Sequence, residues 1–179
     1  MKKVLIIFII LFGVTRLFSQ AYEPIDADSD VKFTIKNFGL NVTGSFKGLK
    51  GKIIFDPANT ASALFDVSVD ARTVYTGNES RDKHLKKDEY LDVERYPTLS
   101  FVTTRIVAFG MPGVYKMEGE LIIKGIKKAV SFPFTATPTT KGYRLKGQFK
   151  VNRRDFKVGA SSWVLSDDLI VILNVSVIK

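Results

Sequence analysis

The chain has 179 residues, of which 45% are hydrophobic and 25% charged, with a formal net charge of +9, a single His and no Cys. Length and composition suit one domain with a substantial core; they exclude a disordered chain, a disulfide scaffold and a zinc or copper site built from Cys and several His. Fourteen Phe against one Trp is the unusual count, a large aromatic volume that needs dry surroundings.

In chain order, Lys2 and Lys3 precede an uncharged apolar run over residues 4–14, and the segment 15–21 then turns small and polar, reading TRLFSQA. This is the three-part layout of a secretory signal, with too few apolar residues to span a bilayer as a helix. It predicts a signal peptide over residues 1–20, cleavage near residues 19–21 and a mature domain over 21–179, with an uncleaved anchor as the competing reading. Losing Lys2, Lys3 and Arg16 would lower the formal charge from +9 to +6. An exported domain without disulfides must draw its stability from packing and strand pairing. A moderately basic surface would favour transient contact with anionic membrane faces, or with acidic partners. Nucleic acid fits poorly, because the Lys residues are scattered, and most of the charge reads as solvated strand faces.

From Ala21 onward apolar and polar residues alternate. Val31, Phe33 and Ile35 share one face; so do Phe65, Val67 and Val69; so do Tyr115, Met117, Gly119, Leu121 and Ile123. Val130, Phe132 and Phe134 follow, then Leu145, Gly147, Phe149 and Val151. Gly-containing breaks separate the runs and predict about eight strands, over 31–37, 42–56, 62–72, 98–109, 114–124, 128–138, 142–152 and 168–178. The second is long and Gly-rich, with a bend or break expected at Gly48 or Gly51. The last is apolar on both faces, as for a strand covered from outside. Residues 78–92, NESRDKHLKKDEYLD, break the alternation and predict a short helix started near Asn78 or Ser80, with Leu85 facing the sheet and Tyr96-Pro97 ending the excursion. Such strands either close into a barrel or stack as a sandwich, and periodicity leaves both open. An eight-stranded barrel would be just wide enough to be filled by side chains or to hold one slender ligand.

Several stretches together carry a family pattern: FTIKNFGLNVTGSFKGLKG at 33–51, IIFDP at 53–57, RDKHL at 81–85, YLDVERYPTLSF at 90–101, GELIIKGIKKAV at 119–130 and NRRDF at 152–156. In this combination and order the chain resembles the YceI-like family of exported lipid- or polyisoprenoid-binding proteins. The resemblance implies an all-β fold, an eight-stranded antiparallel lipocalin-like barrel, with an amphiphile held in an apolar tunnel in the periplasm. Its expected ligand is a polyisoprenoid, an isoprenoid quinone or a similar amphiphile, with no other cofactor, and homodimers are an expectation for the family that no residue pattern here argues. Two departures stand out. Asn37 occupies a position where many relatives have His, and Lys157 one where Gly is common, which suggests a different loop over 155–159.

Catalysis would need a matched acid, base or nucleophile. The candidate pair is His84 with Asp82 or Asp88, a lipid-acting enzyme being the alternative function, but no G-x-S-x-G elbow presents a nucleophile. The plainer expectation is that His84 packs the helical segment on the barrel rim and bonds a backbone group. Arg81, His84 and Arg153 are the candidate head-group or rim residues, since an Arg there offers charge-assisted bonds to a phosphate, carboxylate or quinone oxygen. The plainer reading of the two Arg-Asp clusters, 81–82 and 153–155, is that they pair with each other; Asp56, before Pro57, reads as a turn residue. The expected tunnel wall is Phe33, Phe46, Phe65, Val67, Val69, Phe101, Met117, Leu121, Phe132, Phe134 and Phe149. A solid core is the competing reading of the same residues, and the resemblance favours the tunnel.

Overall fold

The computed structural model describes residues 20–179, so the predicted signal segment lies, apart from Gln20, outside the described residues. Its elements are β1 (Ala21–Pro24), β2 (Asp30–Asn37), β3 (Leu40–Ile54), β4 (Leu64–Tyr75), α1 (Glu79–Leu85), β5 (Thr98–Ala108), β6 (Val114–Ile123), β7 (Ile126–Pro138), β8 (Gly142–Asn152) and β9 (Leu165–Ile178). All pairings are antiparallel. The sheet runs β3-β2-β9-β8-β7-β6-β5-β4 and closes through β3–β4, so the chain forms a barrel and the sandwich reading falls away.

The strand β1 is too short for periodicity to reveal. It pairs with β3 (Tyr22 opposite Ile53) and with β9 (Pro24 opposite Val177), the same two neighbours that flank β2. Thus β1 and β2 occupy one slot in the wall, as a single strand interrupted by a helical turn at Asp26–Asp28. Polar side chains stitch this interruption to the wall. Asp26 accepts the Leu49 N–H at 2.8 Å, and Asp28 accepts the Ser176 hydroxyl at 2.6 Å and the Arg144 guanidinium at 3.0 Å. The barrel therefore has eight slots built from nine segments.

Alternation along each strand decides which side chains point inward. On β6 this places Tyr115, Met117 and Gly119 inside; on β7, Phe132 and Phe134. The strand β3 bends without breaking. Its pairing with β4 slips on either side of Lys47, where Gly48 has a φ of +74°, and a Cβ on Gly51 would stand 2.1 Å from the Asp66 carbonyl oxygen. These bulges curve the wall toward closure.

The expectation that β9 is covered from outside holds only near its end, where Asp28 and Ser29 lie against the buried Ser176. Ile170 and Ile172 are exposed on its outer face, so two-sided apolarity here does not mark a covered strand.

Candidate functional site

The two ends of the barrel differ. At the end formed by the β3–β4, β5–β6 and β7–β8 connections, Phe55 enters from just beyond β3 and is 1% exposed. Its ring stands nearly perpendicular to Phe65, Tyr115 and Tyr143 at centroid distances of 5.9, 5.1 and 5.5 Å, and Tyr22 from β1 packs edge-on against Tyr143 at 5.4 Å. Edge-to-face rings at these distances make a dense, apolar plug. Burial raises the Tyr22 and Tyr115 hydroxyls above the ordinary phenol range.

Above the plug the barrel is hollow. A cavity of about 1180 Å³ extends to the end capped by α1 and the loop before β9. Its width follows from small residues at inward positions. A Cβ on Gly44 would stand 2.3 Å from the Phe33 ring, and one on Gly119 2.5 Å from the Phe101 ring. Those glycines let the rings lie flat on the wall instead of reaching across the lumen. Phe132 and Phe149 stack at 4.3 Å and 13°, also along the wall.

All eleven apolar residues singled out in the sequence lie on this cavity wall, and so do Arg81, His84 and Arg153. Periodicity did not single out Val171 and Leu173 of β9, which also line the cavity, because that strand is apolar on both faces. Lys83 on α1 and Lys87, two residues beyond its end, lie at the mouth and were missed as well. Among the described residues, the charged side chains at the mouth of the cavity are Arg81, Lys83, Lys87 and Arg153, with His84 beside them; Lys83 is paired with Glu79 and Arg153 with Asp167, each at 2.7 Å.

The rim is ordered from within. Asn78 caps α1 by accepting the Arg81 N–H at 3.0 Å. The carboxylate of Asp82 turns back to accept the Thr76 N–H and hydroxyl at 2.9 and 2.5 Å. Arg81 donates to the Thr76 hydroxyl at 2.7 Å and carbonyl at 2.9 Å. Arg153, 3% exposed, donates to Asp167 at 2.7 Å and to the carbonyls of Val158, Ala160, Leu165 and Ser166. Two expectations are corrected here. The Arg-Asp clusters do not pair with each other: Arg81 and Asp82 both turn to Thr76, and Arg153 to Asp167 and the carbonyls of its own loop. Arg153 sits at the rim, but all five of its donors are spent on holding the loop, which leaves none for a head group.

His84 is half-exposed and tilts against Tyr90 at 4.8 Å, with Glu89 at 3.9 Å as its charged neighbour. Its imidazole makes no hydrogen bond to a backbone group among the described residues, contrary to expectation. Nor is the alternative acid–base pair assembled, since the Asp82 carboxylate is committed to Thr76 and the Asp88 carboxylate to the Glu89 N–H. Asp56 holds its turn by accepting the Ala58 N–H at 2.9 Å. Asn37 lines the cavity near the mouth. Lys157 adopts a left-handed φ of +55° at the end of the turn Arg153–Phe156, the backbone conformation that favours glycine.

The model of the YceI-like domain matches residues 22–177, nearly the whole described chain. The chain belongs to the YceI-like family. A UPF0312 protein of Pseudomonas fluorescens is 33% identical over 137 residues, covering 70% of this chain and 69% of that one. Among solved structures, BcnA of Burkholderia cenocepacia superposes with a TM-score of 0.81 at 24% identity, over 87% of this chain and 99% of that one. A polyisoprenoid binding domain from Saccharophagus degradans superposes at 0.71 with 16% identity, over 88% and 98%. In this YceI-like chain the stretch 81–85 builds the rim helix and 152–156 the turn that seats Arg153, so two of the motifs that carried the resemblance are the parts that shape the cavity mouth.

Proposed function

We propose that the protein binds the apolar chain of an isoprenoid lipid in the barrel and carries or stores it after export to the periplasm. One observation carries this reading: a large cavity with an apolar wall that is sealed by the Phe55 plug at one end and has its polar and basic side chains gathered mainly at the other. Burying a five-carbon isoprene unit contributes roughly 3–4 kcal/mol at about 0.8 per carbon, before association costs, so a few units suffice for tight binding without a covalent step. Flat rings and the Met117 thioether conform to a branched, unsaturated chain. The polar head would rest at the mouth, near the partly unspent Arg81 guanidinium, Lys83, Lys87 and His84. The family membership and the likeness to a polyisoprenoid binding domain support this reading, as does the failure of His84 to meet Asp82. Solvent extraction of protein purified from its own host, followed by mass spectrometry, tests it. Stoichiometric isoprenoid is expected; protein that carries no lipid, and that fails to bind polyprenol after delipidation, would refute the proposal.

A further inference from the structure

Large apolar side chains are normally buried when a fold can bury them, and an exposed cluster of them marks a contact surface. The open end of the barrel presents such a cluster. Phe38 and Leu40, at the β2–β3 turn, are 74% and 73% exposed, and Trp163, in the loop before β9, is fully exposed. The two tips are parts of one rim. The Phe38 N–H donates to the Val164 carbonyl at 2.8 Å, Asn37 pairs with Leu165, and the Ser162 hydroxyl accepts the N–H groups of Val164 and Leu165.

Phe38 is also costly where it stands. The two-residue turn gives Phe38 a φ of +51° and Gly39 one of +76°, a pair of left-handed positions that Asn-Gly fills at ease. A bulky residue there is disfavoured, and with three-quarters of its surface exposed Phe38 gains no packing in return. Among the described residues no Asp or Glu lines the cavity; Arg81 and Lys87 stand at its mouth, Lys83 and Arg153 are paired there with Glu79 and Asp167, and residues 20–179 as a whole carry 24 Lys and Arg against 18 Asp and Glu. Aromatic tips beside basic side chains are the composition of surfaces that sit in lipid head groups.

We propose that the open end docks on an anionic lipid surface, with Phe38, Leu40 and Trp163 entering the head-group layer and the cavity mouth turned toward the bilayer. Docking would let a lipid chain pass between membrane and barrel without crossing water. The proposal draws its purpose from the lipid reading above, but its test does not depend on it.

Trp163 is the only Trp in the chain, so its fluorescence reports on this rim alone. Purified protein is mixed with vesicles of phosphatidylcholine, with or without phosphatidylglycerol, and free of isoprenoids. Phosphatidylglycerol vesicles should shift the Trp163 emission to the blue and carry the protein up in flotation, with both effects weakened by high salt. The folded pair of substitutions Phe38→Ser and Leu40→Ser should reduce vesicle binding roughly tenfold. Phe109→Ser with Met111→Ser, at the exposed β5–β6 tip of the closed end, should leave it unchanged. Absence of any shift overturns the proposal, as does an equal response to pure phosphatidylcholine. Flotation without a Trp163 shift would place the contact elsewhere and also overturns it. A shift that grows with protein concentration in the absence of lipid would assign the rim to a second copy of the chain. Protein that docks on these vesicles yet binds no isoprenoid would sink the lipid-carrier reading and leave docking standing.

Discussion

The closed and open halves of this barrel are made by the same strands, with the same alternation, and end up as a solid core and a hollow. On β7, Phe134 is part of the ring cluster around Phe55, while Phe132, two residues nearer the open end, stacks along the cavity wall against Phe149. On β4, Phe65 meets Phe55, whereas Val67 and Val69 face the cavity with no plug opposite them. The difference comes from what enters the barrel at each end. Phe55, from just beyond β3, and Tyr22, from the short strand β1, fill the lower half, and inward glycines keep the upper half clear. Inward apolar residues therefore define a lumen, and connections and glycines decide how much of it stays empty.

The sharpest way to break the comparison is to remove the plug. Phe55→Ala should destabilise the protein by about 3–5 kcal/mol, read from urea unfolding, because a fully buried ring leaves a cavity its rigid neighbours cannot refill. A comparable loss from truncating Val171 on the hollow half would erase the distinction. Next comes filling the hollow. Gly44→Ala places a methyl group against the Phe33 ring and drives that ring toward the lumen, with a cost of about 1–3 kcal/mol for overpacking. Val67→Phe with Val171→Phe should cost less stability and reduce binding of a polyprenol to the delipidated protein by more than about tenfold, as expected when a chain is denied room for several carbons. Unchanged affinity would place the ligand outside the upper half.

At the rim, Thr76→Val removes the hydroxyl that donates to Asp82 and accepts from Arg81, and should lower stability by about 1–2 kcal/mol, with faster hydrogen exchange in α1 and little change in the lower strands. The smallest effect belongs to Asp28. Hydrogen bonds from Ser176 and then Arg144, followed by the Arg144 charge, hold its carboxyl below the ordinary carboxylate range. A carboxyl so depressed contributes stability that is present above its unfolded pKa and lost as pH falls through the lower folded value. Asp28→Asn should thus be slightly less stable than the parent at neutral pH, and the gap should close in acid below the usual carboxylate range.

The wall of the site was legible because burial in a barrel has a strict period of two, which a run such as Met117, Leu121 and Ile123 displays without ambiguity. The helix start was legible through Asn78, whose side chain does what a cap residue does. Closure of the sheet was not: the Gly-rich run announced a bend at Gly48 or Gly51, but no local pattern says that β4 is the strand it brings into pairing with β3. The strand β1 was hidden by its length, and Phe55 looked like the end of a strand when it is the centre of the plug. At the rim, residue types pointed to the right places and to the wrong partners: Arg153 and Asp82 proved to be supports, because hydrogen-bond saturation depends on carbonyls and hydroxyls brought in from distant turns.

The most direct test of a filled lower half and a ligand-holding upper half is a crystal structure of protein purified from its own host. The account predicts continuous elongated density from the stacked Phe132–Phe149 pair toward Arg81 and Lys87, with the Phe55 cluster unchanged beneath it. An upper barrel closed by its own side chains, with Phe33 and Phe101 turned across an empty lumen, would contradict it.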